Sequence, residues 1–438
     1  MSLRVIHLVD SLGLGGAEVM LSQTLPVLAQ RGVDVRVRAI CHPDTLERSL
    51  AAAGVDVRTL TTRDHPSTLG DRAHYLGALL AELVRAPADV VHSHLFHPAL
   101  VGRLAVLLRA RRGPRLVTTL HNPDYSNMVG VPGWKRRARR AVDWATTLAS
   151  TDALVAVSKG VRRDFEAHMG NTGVWGRIDV IRNAIDVEAL ASAIDGIDRA
   201  GARAELGIAP EDFAILAIGR VTHQKNLDLL VDVAGRLNDK GVRARVIVIG
   251  DGEDRARCVA TSGPFVRYVG RLGRPGVERA LSACDAYAQP SRWEAFGIAA
   301  LEAMVAERPV VASAVPGLDE VVADGETGAL VTPGDAEEMA NAFARLARDR
   351  ALAARWGTAG RKRARDRFGL GSWANDTLAL YERLVASTRR LTSRIRGVRA
   401  RFRGCLNRRC GPGGRPSNDI HPSSGARLRA PCVPDPRC

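Results

Sequence analysis

Short apolar strands alternate with helical stretches along most of the chain, and this alternation limits the fold more than any other feature. In the first half, strands are predicted at residues 4–9, 90–94, 116–120 and 153–157, separated by amphipathic segments of helical spacing. Strands connected by helices of 10–15 residues are typical of βαβ units. The pattern therefore predicts an α/β protein with a doubly wound parallel sheet.

The second half repeats this design. Five further strands are predicted at residues 214–218, 245–249, 266–269, 286–288 and 310–312. A polar, low-complexity stretch at 191–209 predicts a domain boundary near residues 185–205. We expect two similar Rossmann-like domains over 1–185 and 186–367, one more amphipathic helix over 368–386, and a basic disordered tail over 387–438.

Charge and cysteine content narrow the class of protein. Residues 387–438 contain 13 Arg and 2 Asp, so the tail carries +11 of the net charge of +16 and the body is only mildly basic. No Cys-x-x-Cys pair is present, which argues against a zinc site or a disulfide framework. No apolar stretch approaches the ~20 residues of a membrane-spanning helix. The N-terminus lacks a signal peptide, so we expect a cytoplasmic protein.

The segment 290–302 carries the clearest chemical pattern. Pro290 ends a short apolar strand, and from Gly297 onward the apolar residues have helical spacing. Glu294 lies before the helix start and Glu302 about one turn inside it, with the free backbone N–H groups of the first turn between them. Such N–H groups attract an anion. An anion with a hydroxylated group on each side, as in a nucleotide sugar, would fit this arrangement.

In each half of the chain, a glycine-containing turn follows the first strand. Gly15 and Gly16 open a helix, but Glu18 stands where a dinucleotide fingerprint needs glycine, so a nicotinamide cofactor is not expected. The turn permits either close backbone approach to a ligand or a tight structural turn. In the second half, Arg220 and Lys225 are placed to bind phosphate, or else to form a solvated surface.

Histidines cluster in the first half. His92, His94 and His97 resemble a metal site, but carboxylates are lacking nearby and a metal is not expected. His121 follows the carboxyl end of a strand, where open α/β sheets bind ligands, although a buried, hydrogen-bonded histidine explains it equally well. No Asp-x-Asp pair is present to hold a divalent cation on a diphosphate.

Residues 135–140, Lys-Arg-Arg-Ala-Arg-Arg, lie in a predicted helix between Trp134 and Trp144. Cations beside tryptophans suit an anionic membrane surface, and a solvated charged face is the alternative. Basic–aromatic interleaving of the kind that binds nucleic acid is absent, so no nucleic-acid partner is expected.

Together these residues resemble a retaining glycosyltransferase of family four, with the GT-B fold, over about residues 4–385. Glu294 and Glu302 match the family's Glu-x7-Glu motif, and Gly219-Arg220 followed by Gln224-Lys225 matches a second hallmark. Ala184, where glycine is usual, and the segment 314–317 depart from the family pattern. The resemblance implies two Rossmann-like domains facing a central cleft, with the helix at 368–386 crossing back to the first domain.

The resemblance also implies roles for individual residues. Glu294, His121, Arg220 and Lys225 would be catalytic, the two cations replacing a metal on the leaving diphosphate. The donor would be bound by Gly219, Arg220, Lys225, Glu294, Phe296, Gly297, Ile298 and Glu302. Gly15 and Gly16 would approach phosphate and acceptor. The implied mechanism is front-face displacement with retention, without a cofactor or a metal.

The function expected from the resemblance is transfer of a hexose from a nucleotide diphosphate sugar to a saccharide acceptor. A lipid-linked acceptor at the inner membrane face, in surface polysaccharide or glycolipid synthesis, is expected from the family. One alternative is a GT-B relative that processes nucleotide sugars without an acceptor, such as an epimerase. Another is a non-catalytic basic protein that binds membranes or nucleic acid.

Overall fold

The computed structural model describes residues 2–13, 15–41, 45–60, 69–109, 113–122, 133–169 and 178–387. The predicted tail lies outside the described residues, apart from its first position, Ser387. The described residues form two parallel sheets covered by helices. The predicted α/β class with two Rossmann-like domains is confirmed.

The first domain is built on a seven-stranded parallel sheet with the order β3-β2-β1-β4-β5-β6-β7. Its strands are β1 (Arg4–Val9), β2 (Asp34–Ala39), β3 (Asp56–Thr59), β4 (Val90–His94), β5 (Arg115–Leu120), β6 (Ala153–Ala156) and β7 (Ile178–Val180). Its helices are α1 (Gly16–Gln30), α2 (Glu47–Ala52), α3 (Leu69–Arg85), α4 (Phe96–Leu108), α5 (Gly133–Ser150) and α6 (Lys159–Met169).

The second domain is built on a six-stranded parallel sheet with the order β10-β9-β8-β11-β12-β13. Its strands are β8 (Phe213–Ile218), β9 (Ala244–Ile249), β10 (Val266–Gly270), β11 (Ala286–Gln289), β12 (Val310–Ser313) and β13 (Gly328–Val331). The remaining helices are α7 (Val187–Asp195), α8 (Arg199–Glu205), α9 (Leu229–Asp239), α10 (Arg255–Ala260), α11 (Arg274–Ala283), α12 (Ile298–Val305), α13 (Leu318–Val321), α14 (Ala336–Arg348), α15 (Arg350–Phe368) and α16 (Leu370–Ala386).

Each sheet has one point where the strand order reverses. In the first domain this point lies between β1 and β4, and in the second between β8 and β11. Open α/β sheets bind ligands in the crevice outside the carboxyl ends of the two strands at such a point. The loops that follow these four strands are therefore the candidate ligand-binding loops.

The polar, low-complexity stretch at 191–209, from which a domain boundary was predicted, is mostly helical. Helices α7 and α8 bury Leu190, Ile194 and Ala202 in the core that also contains α11 and α12. Asp186 and Asp198 cap these helices by accepting hydrogen bonds from backbone N–H groups. The alanine and glycine content that made the stretch look simple allows close helix packing.

Helix α16 belongs to the core of the first domain, although it follows the last helix of the second. Its side chains Trp373, Leu380, Tyr381 and Leu384 are buried among residues of α1, β1 and β2. A helix over 368–386 was expected; the observed helix begins at Leu370, because Gly369 has an extended backbone and separates α15 from α16. The break redirects the chain towards the first domain.

The interior of the first domain contains histidines as well as apolar side chains. His7 on β1 lies opposite His92 on β4, and His94 is two residues further along β4. All three side chains are buried, as is His121 after β5. Burial lowers the pKa of His7 to about 3 and that of His121 to about 4, because the apolar surroundings disfavour the imidazolium form.

These buried histidines predict that the fold is sensitive to mild acid. Below pH 6.5 the unfolded chain binds protons at these histidines and the folded chain does not. The free energy of unfolding is therefore unaffected by them above pH 6.5 and decreases as the pH falls from 6.5 towards 4. Each histidine costs roughly 1 kcal/mol per pH unit in this window. Urea unfolding measured from pH 7.5 to 4.5 should show this slope. His223→Gln, at an exposed position, should leave the slope unchanged. A free energy of unfolding that is constant between pH 6.5 and 5 would contradict the prediction.

Candidate active site

The loops after β8 and β11 are joined to each other. Gly219 turns the chain after β8 and packs so closely on Gly250 that a Cβ on Gly250 would lie 1.9 Å from the Gly219 carbonyl oxygen. At the other end of the loop, the Gln224 carbonyl accepts a hydrogen bond of 2.9 Å from Arg292 N–H. The Gln224 side chain donates to the Trp293 carbonyl at 3.2 Å. The two loops therefore form one rigid unit.

Glu294 is the most firmly held carboxylate in this unit. Its Oε2 lies 2.5 Å from Lys225 Nζ, 3.2 Å from Gln289 Nε2 and 3.3 Å from Ser291 Oγ. Only 16% of the Lys225 side chain and 10% of the Glu294 side chain are exposed. Charge-assisted hydrogen bonds at a partly buried site hold both groups in fixed positions. The structure thus brings together two residues that the sequence placed separately in a diphosphate site and a sugar site.

Gln289 and Ser291 were missed by the sequence analysis. Gln289 lies at the end of β11, where its Oε1 accepts a hydrogen bond of 2.8 Å from Tyr287 and its amide also donates to Ser291 Oγ at 2.9 Å. These side chains are buried beneath Glu294. The available signal was the polar Gln289 at the end of a strand that is otherwise apolar.

Gly297 immediately precedes helix α12 and has φ = 103°, in the left-handed region that favours glycine. A Cβ on this residue would lie 2.6 Å from Leu318 Cδ2, so a larger residue would push the two segments apart. Phe296 was predicted to bind the donor, but its ring is buried against Phe368, with centroids 5.5 Å apart. The ring of Phe296 therefore packs in the core of the second domain.

Glu302 lies inside α12 and is mostly buried. It forms an ion pair with Arg274 at the start of α11, and Arg274 also donates to Glu278 at 2.9 Å. Arg274 was not singled out from the sequence because it lies outside every motif. It orients Glu302 and leaves that carboxylate able to accept hydrogen bonds from a hydroxylated ligand.

The first domain meets the second at the glycine turn. A Cβ on Gly16 would lie 3.7 Å from Ile298 Cδ1, so the start of α1 faces the start of α12. Gly15 has no room for a side chain, because a Cβ there would lie 2.3 Å from Glu18 Oε2. The Glu18 carboxylate therefore folds back over the first turn of α1.

Two carboxyl groups of the first domain have raised pKa values at this place. Burial, and then the charge of Glu18, raise the pKa of Asp10 to about 6. Burial also raises the pKa of Glu18, while the hydrogen bond to its own backbone N–H and the guanidinium of Arg220 oppose this rise. Arg220, which is exposed, is thus close enough to the first domain to affect its carboxyl groups. Neither carboxyl group was assigned a role from the sequence.

His121 lies just past β5 and is 7% exposed. Its Nε2 lies 3.0 Å from His94 Nδ1. The residue is therefore a buried, hydrogen-bonded histidine, which was one of the two interpretations, and it sits at the edge of the sheet where ligands bind.

His92, His94 and His97, for which no metal was expected from the sequence, do not all lie together. His97 is half-exposed and its Nδ1 lies 3.8 Å from Asp10 Oδ1, whereas His7 takes the third place beside His92 and His94. The nitrogens of His7, His92 and His94 lie within 4.8 Å of one another. Pairing of β1 with β4 across 85 residues of chain brings His7 to this position, which no local spacing could reveal.

Helix α5 presents the predicted basic face to solvent. Lys135, Arg136, Arg137 and Arg140 are exposed, and Trp134 and Trp144 are 69% and 40% exposed. Helix α4 packs on α5 and adds further exposed apolar residues, namely Leu104, Leu107 and Leu108. Among the described residues, no helix combines the length and the apolar character that a membrane crossing requires.

Comparison with known proteins agrees with this architecture. Residues 198–363 match the family described as "Glycosyl transferases group 1", and residues 14–189 match "Glycosyltransferase Family 4". The chain is 32% identical over 364 residues to D-inositol 3-phosphate glycosyltransferase of Actinosynnema mirum, covering 76% of this chain and 84% of the relative. It is 32% identical over 352 residues to alpha-maltose-1-phosphate synthase of Mycobacterium tuberculosis, covering 73% and 86%.

The fold is also similar to that of solved structures. Anabaena HepE in complex with UDP and glucose superimposes with a TM-score of 0.73 at 21% identity, covering 87% of this chain and 99% of that one. Both halves of the chain match glycosyltransferase families, and relatives above 30% identity cover most of its length. The chain therefore belongs to the group 1 glycosyltransferases of the GT-B fold.

Proposed function

We propose that this glycosyltransferase moves a hexose, with retention, from a nucleoside diphosphate sugar to a saccharide acceptor carried on a lipid. The observation that supports the proposal most is Glu294, held by Lys225, Gln289 and Ser291 beside the start of α12. A carboxylate fixed next to free helix N–H groups and a lysine provides a sugar contact and a phosphate site side by side.

In this arrangement the donor extends from Glu302, at its ribose, to Glu294, at its sugar. The diphosphate lies at the first turn of α12 within reach of Arg220 and Lys225, and the ribose hydroxyls donate to Glu302. Arg274 holds Glu302 in place. The sugar extends towards Glu294 and the first domain, where His121 follows β5. Solved structures of the same fold contain UDP or UDP-glucose, which makes a UDP-sugar the first donor to test.

The chemistry needs no covalent nucleophile. The bond between the anomeric carbon and the phosphate oxygen breaks, and the electron pair leaves with the diphosphate. The acceptor hydroxyl attacks from the same face, and its proton passes to the departing phosphate oxygen. Lys225 and Arg220 stabilise the charge on the leaving group, and Lys225, which Glu294 holds in place, acts without reorganisation. Glu294 stabilises the positive charge that develops near the anomeric carbon.

Asp10 and Glu18 line the first-domain side of the proposed site. Burial raises the pKa of both carboxyl groups, and that of Asp10 reaches about 6. The protonated form of the Asp10 carboxyl group can both donate and accept a hydrogen bond. This suits a site that binds the hydroxyl groups of a saccharide acceptor.

Substitution of Glu294 and Arg220 tests the proposal. Glu294→Gln and Arg220→Ala should each lower donor turnover by about 10²–10³-fold, the typical effect of removing one group that stabilises transition-state charge. Donors are first chosen from UDP-, GDP- and ADP-sugars as those that raise the melting temperature of the protein. Turnover of these donors is then measured as nucleoside diphosphate released together with glycosylated product. Arg279→Ala, a partly exposed position paired with Glu205, is the matched control and should retain full activity.

Three outcomes of this assay and of parallel binding measurements would contradict the proposal in different ways. Unchanged turnover in both variants would show that the site is assigned wrongly. Nucleoside diphosphate or an isomerised sugar formed without a glycosylated product would favour the epimerase-like alternative. Binding of vesicles or nucleic acid without turnover of any donor would favour a non-catalytic protein.

A lipid-linked acceptor places the protein at a membrane surface, and helices α4 and α5 offer the contact. The exposed Trp134 and Trp144 lie on the same helix as the cations of 135–140, and α4, which carries exposed leucines, packs on that helix. Exposed tryptophans and leucines together with cations are typical of proteins that bind the membrane interface. We assign this surface to peripheral binding at the cytoplasmic face of the cell membrane.

Vesicle binding tests this surface. Lys135→Ala combined with Arg136→Ala in the full chain should weaken binding to vesicles containing phosphatidylglycerol by roughly 30-fold, since each cation near an anionic surface contributes about 1 kcal/mol. Arg355→Ala combined with Lys362→Ala removes the same charge from exposed positions of α15 and should have little effect. Equal loss in both double variants, or no loss in either, would contradict the assignment and indicate that binding resides elsewhere in the chain.

A further inference from the structure

A continuous chain of hydrogen bonds runs from His121 into the first domain. His121 Nε2 lies 3.0 Å from His94 Nδ1, and His94 Nε2 lies 3.0 Å from His7 Nδ1. The ring centroids are 5.2 Å and 5.3 Å apart, which is the separation reached when each contact points along the line between the ring centres. Each nitrogen is thus aimed at its neighbour's nitrogen and not at a shared point where a metal ion could bind.

The chain continues to helix α16. His7 Nε2 lies 3.4 Å from the Tyr381 hydroxyl, which lies 2.5 Å from His92 Nδ1. His92 Nε2 in turn lies 2.6 Å from Thr119 Oγ1. All of these side chains are buried. The hydroxyl of Tyr381 therefore joins two histidine branches that come from β1 and β4.

Neutral histidines give such a chain a direction. Burial lowers the pKa of each of the four histidines below its ordinary value, so each ring carries one N–H and one lone pair. Every contact needs one donor and one acceptor. All protons along the chain must then point the same way, either towards His121 or away from it.

Tyr381 decides between these two directions, because its hydroxyl has a single proton. The contact to His92 Nδ1 is much shorter than the contact to His7, which assigns the proton to His92. Tyr381 then accepts from His7 Nε2, His7 Nδ1 accepts from His94, and His94 Nδ1 accepts from His121 Nε2. The remaining nitrogen of His121, Nδ1, is left with its lone pair.

We propose that Tyr381, through His7 and His94, sets the tautomer of His121 and so makes its Nδ1 an acceptor for a hydroxyl of the donor sugar. Tyr381 lies on α16, the helix that follows the second domain and packs in the first. The three residues are positioning residues that contact no substrate. The sugar contact rests on the proposed function, whereas the tautomer does not.

Nuclear magnetic resonance of the nitrogen-isotope-labelled full chain, without donor, tests the tautomer directly. In the wild type the Nε2–H form of His121 should exceed the Nδ1–H form by roughly tenfold, the factor expected for one hydrogen bond. Tyr381→Phe should bring the two forms close to equal populations. Tyr268→Phe removes a hydroxyl from the second domain and should change nothing at His121.

A second variant keeps the tyrosine and covers the case in which Tyr381→Phe does not fold. Thr119→Val has nearly the same shape but removes the acceptor for His92 Nε2, so the chain should reverse and His121 should become the Nδ1–H form. An unchanged His121 tautomer in either folded variant would overturn the inference, whatever the enzymatic activity.

Kinetics test the link to sugar binding separately. Tyr381→Phe should raise the donor KM by roughly fivefold, as expected for one lost neutral hydrogen bond, with a smaller change in kcat. A changed tautomer with an unchanged donor KM would overturn the sugar contact of His121. Loss of activity in the Glu294 variants, by comparison, concerns the proposed reaction and not this chain.

Discussion

The ion pair between Lys225 and Glu294 is the interaction on which the site depends. It links the loop after β8 to the loop after β11, and Gln289 and Ser291 fix the same carboxylate oxygen from below. Removing one partner would leave the other, a mostly buried charge, without its counter-charge, which costs several kcal/mol. The pair therefore holds Lys225, which we propose binds the diphosphate, and Glu294, which we propose binds the sugar, in a single geometry.

The two parallel sheets position the other candidate site residues. Each sheet reverses its strand order once. The candidate catalytic and binding residues lie at the carboxyl ends of the strands at those two points: Asp10 after β1, His94 at the end of β4, Arg220 after β8 and Glu294 after β11. Helix α16 then returns to the first domain and brings Tyr381 under the same edge. One chain segment thus supports both the assembly of the two domains and the hydrogen bonding of the site.

Much of this organisation could be predicted from the sequence, because buried parallel strands are nearly continuous apolar runs and their periodicity differs from that of the helices between them. The motif around Glu294 and Glu302 was equally visible, since it is local. His7 was missed because its partners lie 85 or more residues away and are reached only through strand pairing. Arg274 and Gln289 act by supporting other side chains, and Phe296 is buried, facts that depend on packing and not on spacing.

The most direct test of the account is a crystal structure of the full chain with a nucleoside diphosphate sugar that raises its melting temperature. We expect the diphosphate at the first turn of α12 within hydrogen-bond reach of Arg220 and Lys225, the ribose on Glu302, and the sugar between Glu294 and His121. A nucleotide bound elsewhere, or one with its sugar directed away from Glu294, would contradict it.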